Sequence, residues 1–195
     1  MKKLIQKIVE FFFAWYSRWQ AKTEVIDVGE KLSHTMTALL IAPERPEEFM
    51  LASEHLDDLQ RVFPGTQFYY MFEKAYGEAV KKRSHFQILT YSNDEMYFFG
   101  LPKSSMVEGI KSRSFDVVID LNNDFSLMAA YVTMISDAKL RICLHHDKRD
   151  TIYNFQLRTN EDYSIGERFA SLIKCLASFQ PSANGATARV PSSRA

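Results

Sequence analysis

Along the first two dozen residues the apolar positions fall on one helical face. Leu4, Ile5, Ile8, Phe12, Trp15, Tyr16 and Trp19 recur three and four apart, while Lys2, Lys3, Lys7, Glu10 and Arg18 occupy the opposite side. The spacing predicts an amphipathic helix over residues 1–24. From residue 37 the rhythm changes to short apolar runs alternating with helical patterns. Strands are expected at residues 38–42, 67–71, 86–91, 96–99, 116–121, 140–144 and 152–157. Helices are expected at residues 47–62, 104–112, 125–135 and 164–178. Strands that alternate with helices predict an α/β domain over residues 37–179. Its sheet should be Rossmann-like and largely parallel, with helices on both faces joined by right-handed crossovers. After Phe179 the chain turns small and polar without periodicity, so residues 180–195 are expected to be a disordered tail.

Composition sharpens this picture in two places. Apolar residues make up 46% and charged residues 25% of 195, the profile of a chain that can bury one core. The 24 basic and 24 acidic side chains cancel, which gives no electrostatic footprint for nucleic acid. Cys143 and Cys175 fall in an expected strand and an expected helix, without the pairing of a metal knuckle, and read as buried thiols in a reducing compartment.

Two readings fit the first helix. Its apolar run is interrupted by charges and too short to span a bilayer, which takes about 20 apolar residues, and no small-residue cleavage site follows it. Lys3, with Phe12, Trp15 and Trp19, has the composition of an interfacial anchor at an anionic lipid surface. The same face would also serve as a contact with a partner protein or a second copy of the chain.

Three stretches carry a family resemblance. The first is the strand at residues 39–42, its loop, and a helix ending in Phe63-Pro64-Gly65. The second is Phe115-Asp116-Val117-Val118-Ile119-Asp120-Leu121-Asn122-Asn123, followed by an apolar helix and then Ala138-Lys139-Leu140-Arg141-Ile142. The third is the last helix, at residues 164–178. Together they resemble the N-terminal half of family 9, heptosyltransferase-like glycosyltransferases. The resemblance implies a single GT-B-type half-domain, the acceptor-side half, with the donor-binding half expected to be absent. In that family an aspartate in the first loop is the proposed general base. Counting back from Phe63-Pro64 places it on Glu48, with Glu47 where the family has glycine. Glu48 keeps the carboxylate but reaches one methylene further.

Other candidates come from position alone. Asn122, Asn123 and Asp124 follow a strand at the sheet edge where α/β folds bind ligands. They serve either to cap the next helix or as a polar wall for a sugar hydroxyl. His145-His146-Asp147 follows another strand at the same edge. His145 is a candidate ligand contact, although adjacent histidines on a loop diverge and lack zinc-site spacing. His55 stands seven residues beyond Glu48 on the expected helix, so the two would share a face. Neither phosphate-binding glycine loops nor a serine elbow occurs. The expectation is therefore a domain without cofactor or metal that is not catalytic by itself. It would bind a protein or a glycan-lipid precursor at the cytoplasmic membrane surface. The alternative is the acceptor half of a split transferase with Glu48 as base.

Overall fold

The structure is a computed structural model that describes residues 26–80 and 85–180. The helix expected over residues 1–24, with Lys3, Phe12, Trp15 and Trp19, lies outside the described residues. So does the expected tail apart from Gln180. No helix among the described residues is long and apolar enough to cross a membrane.

Six parallel strands form one sheet in the order β3-β2-β1-β4-β5-β6. They are β1 (Thr37–Ile41), β2 (Gln67–Glu73), β3 (Phe86–Tyr91), β4 (Val117–Asp120), β5 (Leu140–Leu144) and β6 (Phe155–Leu157). The central strands are apolar on both faces because both faces are covered, as a parallel sheet requires. On one side Ala38, Leu40, Val117 and Ile119 meet Phe49, Leu56, Leu59, Phe169 and Leu172. Those five come from α2 (Pro46–Glu54), α3 (Leu56–Val62) and α6 (Ile165–Ser178), and Leu32 of the short α1 (Val28–Ser33) joins the same core. On the other side Leu39, Ile41 and Val118 meet Ile110 of α4 (Ser104–Lys111) and Met128, Ala129 and Val132 of α5 (Leu127–Ile135). The expected Rossmann-like α/β architecture is the one found.

Local chemistry fixes the helix ends. Pro46 opens α2, where its missing N–H costs nothing, and Glu47 and Glu48 sit in the first turn with the favourable sign for the helix dipole. A capping box opens α6: the Ser164 hydroxyl accepts from the Glu167 amide at 3.3 Å, and the Glu167 carboxylate accepts from the Ser164 amide at 2.7 Å.

Four expectations are corrected. Residues 47–62 form two helices, because the chain breaks at His55, whose amide bonds Ala52 instead of continuing the α-helical pattern. Residues 96–99 are not a strand. There Gly100 adopts φ +93°, the Tyr97 amide bonds the Leu101 carbonyl, and a tight turn leaves only a single bridge between Met96 and Pro102. The last strand starts at Phe155, since the amides of Ile152 and Tyr153 are held in a turn by the Arg149 carbonyl. The cap of α5 is Ser126, which accepts from the Ala129 amide at 3.0 Å, and not one of residues 122–124. The sequence pattern also passed over the 3-10 helix Lys74–Ala79.

Phe49 joins that 3-10 segment to the core: its ring stacks on Tyr76 at 4.6 Å and lies 5.5 Å from Phe72 and 6.1 Å from Tyr70. Phe49→Ala is expected to cost about 3–5 kcal/mol, read as a lowered urea midpoint. A loss under about 1 kcal/mol would show that Phe49 is not a core anchor.

Candidate functional site

In open α/β sheets ligands bind beyond the carboxyl ends of the strands, where the strand order reverses. Here that point lies between β1 and β4. Their register pairs Ile41 with Asp120, so residues 42–46 and 121–126 leave the sheet level with each other. The sequence fills this crevice with its own polar groups. Asn122 is 5% exposed and spent on the protein: its side-chain amide donates to Asp120 Oδ1 at 2.7 Å and to the Ala42 carbonyl at 3.3 Å, and its Oδ1 accepts from the Glu44 amide at 3.0 Å. Glu48 is 3% exposed. Its carboxylate takes a hydrogen bond from Arg45 at 3.2 Å and faces the Asn123 amide at 3.4 Å, while Arg45 also pairs with Asp124. Glu44 stands on an exposed loop but turns its carboxylate inward onto the Ser126 hydroxyl. Burial raises its pKa above the ordinary glutamate range, against the Ser126 bond and with help from the charges of Asp120 and Glu73.

Beneath the crevice lies a buried ionic network that position in the sequence did not single out. Asp120 is fully buried at the end of β4. Its Oδ1 accepts from the amide of Asn122 at 2.9 Å as well as from its side chain. Its Oδ2 accepts from the Tyr153 hydroxyl at 2.6 Å and lies 3.6 Å from the Arg149 guanidinium. Arg149, equally buried, donates to the carbonyl of Leu144 at 2.9 Å and to that of Asp124. Burial, then the charge of Asp120, holds the Tyr153 hydroxyl protonated far above its usual range. The legible signal was a charged residue inside the apolar run Val117-Val118-Ile119-Asp120-Leu121. Asp116, four residues earlier, accepts from the amides of Met36 and Thr37, each at 2.9 Å, at the opposite end of the sheet. Both aspartates of the motif therefore brace β4 against its neighbours.

Two clefts of about 620 Å³ each flank the filled crevice. The one beyond β5 and β6 brings together two of the candidates, Asn123 and His145, with Arg158 and Arg168. Arg158 donates to His145 Nε2 at 2.7 Å, an arrangement that places the ring proton on Nδ1. Arg168 is committed: it donates to Asn123 Oδ1 at 3.0 Å and to the carbonyls of Tyr163 and Glu161, each at 3.1 Å. His146 lines the same cleft, with Nδ1 accepting from the Lys148 amide at 3.2 Å. Burial and the charges of Arg149 and Lys148 push its pKa down. Glu48 and Asn122 line neither cleft, and His55 turns its ring toward Phe169 and Asp58. The second cleft, beyond β2 and β3, is lined by Glu44, Glu73, Tyr91 and the aromatic turn at Tyr97, Phe98 and Phe99. Glu73, Tyr91 and the three aromatic residues were not singled out from the sequence as site candidates. Among the described residues no three His, Cys, Asp or Glu side chains gather closely enough to hold a metal ion. Cys143 and Cys175 are free thiols, and burial raises the pKa of both.

Known proteins add a family and a fold. A family described as Family of unknown function (DUF6913) matches residues 71–179, more than half of the chain. No curated protein matches. Among solved structures, the glycosyl transferase family 9 protein from Veillonella parvula aligns with a TM-score of 0.62 at 10% identity, covering 77% of this chain and 43% of that one. E. coli heptosyltransferase WaaC, solved with ADP, aligns with a TM-score of 0.58 at 14% identity, covering 72% and 46%. E. coli ADP-heptose lps heptosyltransferase II aligns at 0.56 with 14% identity, covering 75% and 44%. The chain thus has the fold of part of these proteins and spans less than half of their length.

If Asp120 is the hub, its loss must cost more than the loss of any one partner. Asp120→Asn leaves Arg149 buried without its counter-charge and is expected to cost about 3–5 kcal/mol. Tyr153→Phe removes one hydrogen bond and is expected to cost about 1 kcal/mol. Equal costs in denaturant titrations would remove Asp120 from that role.

Proposed function

We propose that this chain, which belongs to the DUF6913 family, is a glycosyltransferase-like binding domain that holds an anionic glycan precursor without transferring a sugar by itself. The observation that carries this reading is the cleft beyond β5 and β6. There Asn123 and His145 stand beside Arg158, whose exposed guanidinium retains donors beyond the one aimed at His145. A phosphate or carboxylate takes such donors in short, charge-assisted bonds, and Asn160 adds polar lining for a sugar hydroxyl. The state of Glu48 supports the non-catalytic half of the reading. A general base must reach a substrate proton, whereas this carboxylate is enclosed and already shared between Arg45 and the Asn123 amide.

The membrane surface is the proposed setting, with the helix expected over residues 1–24 as its anchor. Lys3 and neighbouring lysines would meet anionic headgroups while Phe12, Trp15 and Trp19 enter the interface.

Titration calorimetry with glucose 1-phosphate and with glucose tests the ligand. The phosphate ester should bind, added salt should weaken it, and Arg158→Ala should weaken it about tenfold or more. Equal affinity for glucose, or no effect of Arg158→Ala, would overturn the anion reading. Sugar transfer from a nucleotide-sugar donor that disappears in Glu48→Gln would establish a transferase instead. For the anchor, anionic vesicles should sediment the full chain but not a version lacking residues 1–22; equal sedimentation of the two would dismiss it.

A further inference from the structure

The cleft beyond β2 and β3 differs in charge from the first, where Arg158 and Arg168 stand with Asp147 and Glu161. Glu44 and Glu73 supply two carboxylates, and among the described residues no lysine, arginine or histidine lines it. Among the described residues the donors that meet these groups are neutral: the Ser126 hydroxyl at Glu44, and the Asn93 side-chain amide at Glu73, 3.2 Å away. Burial raises the pKa of Glu44, and the charges of Asp120 and Glu73 add to the shift. Tyr91 is only 8% exposed and lines the same cleft, yet among the described residues its hydroxyl has no hydrogen-bond partner. The hydroxyl is not one of the fully enclosed side-chain atoms that lack a partner, so it opens onto the cleft, where a ligand can reach it. Burial, with the charges of Glu44 and Glu73, keeps its proton on.

The outer wall is aromatic. The rings of Tyr97 and Phe99 stack at 5.3 Å and 7° to each other, and Phe98 meets Phe99 edge-on at 5.0 Å. Phe98 remains 61% exposed and Tyr97 44%. Gly100, at φ +93°, turns the chain directly after them. Exposed rings beside carboxylates attract cations in two ways, through the negative ring face and through direct charge pairing.

We propose that this cleft is a binding site for an organic ammonium group carried on a compact body: Glu44 and Glu73 meet the charge, the Tyr91 hydroxyl accepts an N–H, and Phe98 and Tyr97 cover the attached carbons. The body is either a sugar ring or an alkyl chain. The site lies across the filled crevice from the Arg158 cleft, so it does not depend on that cleft being used.

Amide and aromatic NMR spectra of the full chain, titrated with glucosamine and with butylamine while both amines are charged, test it. Glucose, N-acetylglucosamine and butanol serve as uncharged counterparts. At least one amine should shift the resonances of Tyr91 and residues 97–100 in a saturable way, its uncharged counterpart should not, and which amine binds more tightly distinguishes the two bodies. Glu73→Gln and Phe98→Ala, both outside the buried core, should each weaken binding at least about fivefold while leaving the remaining spectrum in place. Amines and uncharged counterparts acting alike, no shift with any of them, or unchanged affinity in both variants would overturn the proposal.

Discussion

A carboxylate withdrawn from water is stable only if its neighbours replace the lost hydration, and Asp120 is such a group at the centre of this fold. Tyr153 and both nitrogens of Asn122 donate to it, with the Arg149 guanidinium close by. Arg149 and Tyr153 come from the connection between β5 and β6, and Asn122 also holds the Ala42 carbonyl, so satisfying one charge ties together the end of β4, the loop after β1 and the turn between β5 and β6. The clefts on either side inherit their walls from that arrangement. Asn123 follows Asn122 into one of them, and Glu44, whose amide Asn122 holds, borders the other.

The α/β architecture was legible because parallel strands buried on both faces leave continuous apolar runs, such as Leu39-Leu40-Ile41 and Val117-Val118-Ile119, and helices between them leave a different period. Where sequence reasoning failed, local geometry outweighed composition. Tyr97-Phe98-Phe99 has a strand's residues, but Gly100 closes a turn behind it, and the turn puts the rings at a cleft. The site was legible by position and not by role. Asn122 stands at the carboxyl edge as expected but is consumed by Asp120 and Ala42, whereas Asn123, one residue on, reaches a cleft. Arg158 and Tyr91 escaped notice because nothing in the residues beside them marks a site. Only the pairing of β5 with β6, and of β2 with β3, brings them to the edge.

The two clefts differ in charge balance. Arg158 and Arg168 line one together with Asp147 and Glu161, whereas Glu44 and Glu73 line the other without a basic side chain among the described residues, and the crevice between them is closed by paired charges of its own. A zero net charge therefore conceals a local negative field at one end of the edge.

The strand order also sets a timetable for assembly. β1 is a central strand, yet one of its flanking partners, β4, is encoded about 80 residues later, so the amide of Leu121 reaches the Ile41 carbonyl only after most of the domain has left the ribosome. Until then the apolar face of β1 lacks half of its cover, and loop closure over that span opposes early pairing. The nascent chain must pass through a stage in which β1, β2 and β3 exist as an incomplete sheet with Leu39 and Ile41 uncovered. In that interval the chain carries an exposed apolar strand face, the condition under which partly folded chains associate with one another.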